Sequence, residues 1–227
     1  MDKLPSLIRD FKGTFRLYRE TLEGKDAHPM KLRFIRTFES LFEEASSLMK
    51  HGAIFSQYGL LRGFCETVVM VECLLDHEQD GSLEHYQAYT ELVERYFESL
   101  KRGENHAEND RPHQYDWFNA MKRGGFTTSK VSLKTLANDK NQPLLETFHI
   151  LNVKIHNAEF FTNKLMDPSF KAYEQKELEA SLVMIIDHLL RILSHRMRDA
   201  STKPLLDMLV EKRNHMKPLI ESKEKAS

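Results

Sequence analysis

From Leu4 to Leu193 the apolar residues of this chain recur at spacings of three and four, in long stretches with glycine and proline standing mainly between them. That period puts a stripe on one side of an α-helix; a strand, whose side chains alternate faces, needs a period of two. β-branched residues do not gather in alternating runs, and 227 residues hold only nine glycines and seven prolines. Strands and their turns have little to be built from, so the chain reads as all-α.

The pattern predicts helices over 4–22, 29–50, 54–77 and 83–101, with Tyr86, Tyr89, Leu92, Val93, Tyr96, Phe97 and Leu100 of the last facing inward. Gly52 is expected to cap the second. The polar run RGENHAENDRPHQ, 102–114, reads as a loop and as a site of disorder. A short helix follows around Trp117 and Phe118, stopped by Gly124 and Gly125, then another within TTSKVSLKTLAND. A longer helix is predicted over 143–165. Asp167-Pro168 pairs a cap with a proline at the first helical position and opens the longest helix, 169–199; Pro204 restarts a final one to about 221, before ESKEKAS frays. Six or more helices joined by short turns predict an antiparallel multi-helix bundle. One domain is expected over 1–200, with a C-terminal helix and tail over 201–227.

The third helix poses the sharpest question. The stretch GLLRGFCETVVMVECLLD, 59–76, is the most apolar in the chain, yet it carries Arg62, Glu66 and Glu72. On a helical wheel Leu60, Leu61, Phe64, Cys65, Val68, Val71 and Leu75 share one broad arc, and Val69, Met70, Cys73 and Leu74 extend apolarity most of the way round. A helix apolar on nearly all sides is central. Arg62 and Glu66 stand at i and i+4 on the remaining sector, close enough to pair, and a buried charge without a partner costs several kcal/mol or more. They are expected to form an ion pair that either fixes helix register or lines an internal polar pocket.

The 143–165 helix supplies a second polar constellation. Beside its stripe of Leu144, Phe148, Leu151 and Ile155 stand Asn152 and Glu159, with His149 and His156 on the flank. His156 is a candidate base or pocket residue, and Arg62, Glu66, Asn152 and His156 are the candidate ligand-binding set. Glu146 and His149 make one Glu-x-x-His; a di-iron bundle needs two, so no metal is expected. His188 and His195 flank Arg191 opposite the apolar stripe of the longest helix and read as an exposed face. His106 and His113 lie in the polar loop. Lys122, Arg123, Lys130, Lys134 and Lys140 crowd 117–140 beside Trp117 and Phe118. They could touch phosphates of a nucleic acid, although a solvated helical face explains them as well. No phosphate-cradling glycine loop, nucleophile elbow or Cys-x-x-Cys pair is present, and no cofactor is expected.

The formal net charge is -1, which gives no global argument for a polyanionic partner. Cys65 and Cys73, eight residues apart on one helix, would stand about 12 Å apart, too far for a disulfide. They suit a reducing compartment. The charged N-terminus MDKLPSLIRDFKG is not expected to act as a leader, and no apolar run reaches the roughly 20 residues of a membrane span. A cytoplasmic location is the expectation.

The run YGLLRGFCETVVMVECLL resembles the R-x-x-x-E helix of the bacterial family catalogued as domain of unknown function 5677. VSLKTLANDKNQPLLETFHILNVKIHNAEFF is similar to that family's second block, where a short basic helix precedes one ending in a histidine, here His156. The resemblance covers roughly residues 50–165; Asn152 and Lys154 depart from the small polar residues expected ahead of the histidine. It implies an all-α bundle in which Arg62, Glu66 and His156 are candidates to meet, and it carries no activity. The architecture also resembles HEPN helical bundles, many of them ribonucleases, whose signature places four to six residues between Arg and His. Arg102–His106 and Arg191–His195 each enclose three. The expected function is therefore a protein-interaction or self-associating module, within stress or phage defence, that meets a partner protein or a second copy. The alternatives are a hydrolase or nuclease, or a small-ligand sensor, built on an internal Arg/Glu/His cleft.

Overall fold

Helix ends in this protein are set by the residues the sequence places there. In the computed structural model, which describes residues 4–25, 27–106, 111–113, 115–123, 132–197 and 199–224, the first helix is α1, Leu4–Glu23, and the second is α2, Pro29–His51. The His28 ring nitrogen accepts from the Met30 backbone N–H at 3.2 Å, with Pro29 in the first turn where no N–H is needed. At the other end Gly52 takes φ 63°, and Ala53 N–H returns to the Leu48 carbonyl at 3.1 Å, closing the helix by a left-handed cap. Two residues later the chain enters α3, Ile54–Asp76.

Past α3 come a single 3-10 turn, Glu78–Asp80, then α4 Ser82–Lys101, α5 Asp116–Arg123 and α6 Leu133–Leu136. The rest is α7 Gln142–His156, α8 Ala158–Lys164, α9 Pro168–Arg196 and α10 Lys203–Glu224. The described residues contain ten α-helices and no strand, an all-α helical bundle. α9 opens as its sequence predicts: the Asp167 carboxylate accepts from the Ser169 N–H at 2.9 Å ahead of Pro168.

The chain divides into two compact units, residues 1–69 with 138–227, and residues 70–137. The division expected near residue 200 is not where the structure parts, because α10 belongs to the first unit. It packs on α1 and α9, burying Leu206, Leu209 and Met216, and Arg213 and Lys217 both reach Asp187 of α9.

In the first unit α1 and α2 run antiparallel. Phe11 and Phe15 meet Phe42 edge-on at 5.3 and 5.5 Å, and Phe42 meets Phe64 of α3 at 5.0 Å. On the outer side Lys12 pairs with Glu43, Arg16 and Arg19 with Glu39, and Arg36 with Glu23. Exposed pairs of this kind contribute little each; as a ladder they fix the register of the two helices. From Ile54 to Val69 the buried residues of α3 share one face at spacings of three and four, and Phe55, Ser56 and Gly59 are exposed, so this stretch is not the helix buried nearly all round that its composition predicts.

Two expectations about elements are corrected. The single helix over 143–165 breaks at Asn157, whose backbone sits at φ -107°, ψ 41°. Its backbone N–H still closes onto the Val153 carbonyl at 3.1 Å, and its side-chain amide donates to the same oxygen at 2.8 Å. In the second unit the apolar side of α4 is only partly covered: Phe97 is 57% and Leu100 42% exposed. A 20-residue helix has as its packing partner α5, of eight residues, which reaches the Tyr86 end, where Trp117 packs edge-on at 5.9 Å. Residues 107–110 and 114 of the expected loop, Gly124 and Gly125, and the tail 225–227 lie outside the described residues.

Candidate functional site

Arg62 and Glu66 are both half-buried on α3, but they do not form the expected pair. The Arg62 guanidinium lies over the ring of Phe148 on α7, 4.9 Å from its centroid. An aromatic face attracts a cation by roughly 0.5–2 kcal/mol and takes the place the carboxylate was given. The Arg62 Nε is buried with no hydrogen-bond partner among the described residues. Glu66 is not without an interaction of its own.

The direction of packing decides where the other candidates fall. Four residues before Arg62, Tyr58 faces Lys154 of α7, whose ammonium is 5.3 Å from the ring centroid. Moving forward along α3 from Tyr58 to Arg62 therefore moves back along α7 from Lys154 to Phe148, and the helices are antiparallel. His156 ends α7, beyond the Arg62 contact at Phe148. Phe148 and His156 are separated by about 12 Å of helix rise. His156 is exposed and lines a shallow depression of about 490 Å³ with Asn157, Glu159, Phe160 and Asn163. None of Arg62, Glu66 or half-buried Asn152 takes part in it.

A different group converges. Glu174 of α9 is 2% exposed, and its Oε2 accepts from the Tyr58 hydroxyl at 2.8 Å and from the Lys154 ammonium. Lys154 rests against the rings of Tyr58 and, at 5.9 Å, Phe161. Burial, then the hydrogen bond to Glu174, push the Tyr58 phenol far above its ordinary pKa, so it remains a proton donor. A buried carboxylate with a cation and a hydroxyl both turned to it is an electrically balanced centre. A signal existed in the sequence: Glu174 continues the stripe of Leu178, Leu182, Ile185 and Leu189 back by one turn.

Around this centre the aromatic rings form a row. Phe55 meets Tyr58 at 6.0 Å, Tyr58 meets Phe161 at 6.1 Å, Phe161 meets Phe170 at 6.2 Å, and Phe170 meets Tyr173 at 6.5 Å. Phe160 stands edge-on to Phe161 at 5.3 Å. Tyr58 in the middle is fully buried, whereas Phe55, Phe160 and Tyr173 at the ends are exposed.

The remaining histidines have local work. His106 hydrogen-bonds Ser99 and tilts onto Tyr96 at 5.0 Å; the His113 ring meets Tyr115 at 6.0 Å, and its backbone N–H donates to Asp116 at 2.7 Å. His149 is exposed beside Phe148. His188 and Arg191 are half-buried rather than exposed: the Arg191 guanidinium donates to the Lys140 carbonyl at 2.8 Å, and the His188 ring lies 3.3 Å from the same oxygen. Of the basic stretch, Lys122 lies over Phe118 at 5.7 Å, and residues 124–131 are outside the described residues. Among the described residues no three His, Cys, Asp or Glu side chains are grouped as a metal ion would need, and no helix is long and apolar enough to cross a membrane. No family model, curated protein or solved structure matches this chain.

Proposed function

We propose that this chain is an interaction module that self-associates through the aromatic end built by α3, α8 and α9. The observation that carries this is the row of rings anchored on buried Tyr58 and left open at Phe55, Phe160 and Tyr173. Rigid aromatic side chains around a desolvated centre are what binding hot spots are made of. A second copy is the occupant that fits the charges. The exposed residues bordering the row alternate in sign, Glu159, Lys164 and Asp167, so a two-fold arrangement sets acids against bases. A formal net charge of -1 adds almost no repulsion between copies. The hydrolase reading built on Arg62, Glu66 and His156 gains no support from their separation.

Sedimentation equilibrium tests the proposal. The purified chain is expected at twice its 26.6 kDa mass, and Phe160→Ser with Tyr173→Ser is expected to weaken association by about thirtyfold or more. Both side chains are exposed, so the helical circular dichroism of the variant should be unchanged. A monomer at every accessible concentration, or a dimer indifferent to the double substitution, would overturn it.

A further inference from the structure

Another face of α9 borders a cleft of about 1150 Å³, enclosed by α1, the end of α2, the start of α3 and the first three turns of α9. At about 100° per residue, Pro168, Lys171, Ala172, Gln175 and Glu179 share one arc of α9, and Phe170 and Tyr173 lie on another. The cleft and the aromatic end therefore use different sides of the same helix. We infer that this cleft binds a small amphipathic anion, a carboxylate or phosphate head carried on an apolar body.

The walls supply the apolar part. Ile8 and Ile54 are buried at 4% and 3% exposure beneath the opening, and Met49 and Ala172 extend the surface. The volume is that of a small-molecule site, which ordinarily joins apolar walls to a few placed polar groups.

The rim supplies the charge. Arg9, Lys12, Lys50 and Lys171 line the cleft against two carboxylates, Glu43 and Glu179. Lys12 already neutralises Glu43. Glu179 is buried and takes a hydrogen bond from the Gln175 amide at 3.4 Å. Arg9, Lys50 and Lys171 are exposed, and the described ion pairs do not consume them. The register that places Lys12 at Glu43 brings Arg9, one turn earlier on α1, level with Ser46, Ser47 and Lys50 of α2. Lys171 precedes Glu179 by about 12 Å along α9, so a head group held at Lys171 is clear of that carboxylate. In a chain of formal net charge -1, this excess of cations is local to the cleft. One guanidinium and two ammonium groups above an apolar floor match an anion that brings its own apolar tail.

Isothermal titration calorimetry with four probes tests the inference: decanoate, decyl phosphate, 1-decanol and inorganic phosphate. Decanoate or decyl phosphate, or both, are expected to bind saturably at one site per chain below the concentrations at which they form micelles. The tighter of the two identifies the head group. Decanol and inorganic phosphate, each lacking one half of the recognition, are expected to bind at least about tenfold more weakly. Arg9→Gln with Lys171→Gln is expected to weaken the amphiphile by about tenfold or more. Both positions are exposed, and an unchanged thermal melt confirms that the variant folds. No saturable binding of either amphiphile, decanol binding as tightly as decanoate, or a double variant that binds undiminished would each overturn the inference. Because the readout is ligand heat and not subunit mass, its failure is distinguishable from failure of the self-association proposal.

Discussion

Lys154 shows how much one residue's meaning depends on where its neighbours are. Read along the chain it is a cation between Val153 and Ile155; in the folded protein its ammonium and the Tyr58 hydroxyl converge on Glu174. Removing one member leaves the other buried and uncompensated. Glu174→Gln or Lys154→Met is expected to cost about 3–5 kcal/mol, read as a shift in the urea unfolding midpoint. The paired change Lys154→Met with Glu174→Leu, made in a Tyr58→Phe background so that no buried hydroxyl is orphaned, should recover most of that loss, since well-packed apolar residues replace a buried ion pair at little cost. A paired variant as unstable as the singles would show that the cluster does more than balance charge. Arg62 is the converse case: the i, i+4 rule allowed it Glu66, but a ring on another helix holds it.

At the scale of the helix, local chemistry is decisive. Gly52 takes φ 63°, and a Cβ there would meet nothing within 4 Å. Gly52→Ala therefore tests backbone conformation alone and is expected to destabilise by about 1–2 kcal/mol, the cost of a left-handed L-residue. Gly13, inside α1, is equally open, so Gly13→Ala is expected to stabilise by about 0.5–1 kcal/mol. Chemical denaturation of the two variants checks both signs. Asn157 is an element-scale feature that periodicity did not reveal. The apolar pattern runs on through it from Leu151 to Phe161, while the Asn157 backbone at φ -107°, ψ 41° divides α7 from α8.

Across the whole molecule, the charged ladder and the buried acids bound the pH range of stability. Hydrogen bonds from Arg19 and Arg36 hold the Glu23 carboxyl below its ordinary pKa of 4.5, and Lys12 does the same for Glu43. A depressed carboxyl favours folding above its unfolded pKa, so this contribution is lost as pH falls below about 4.5. Arg19→Gln should flatten the acid limb of a stability–pH profile. Burial raises the Cys65 and Cys73 thiols from 9.0 to about 12, and the Tyr18 phenol from 10.0 to about 12. A raised acid favours folding below its unfolded pKa, so stability should decline as pH climbs from about 9 towards 12. At neutral pH neither thiol is a thiolate, and labelling by a disulfide reagent should proceed only as fast as the protein opens. Rapid labelling of native protein would contradict the buried placement.

The helices and most of their ends were legible in the chain, because spacing, capping residues and proline act within a few residues of one another. The sequence likewise required partners for charged groups in an apolar setting. Which partners they took depended on the packing of separate helices: Phe148 for Arg62, Glu174 for Lys154, a cleft shared by Arg9, Lys50 and Lys171. Those choices follow from the direction in which α7 crosses α3 and from the register of α1 on α2. Both are set by packing between residues far apart in the chain, to which a helical period is blind.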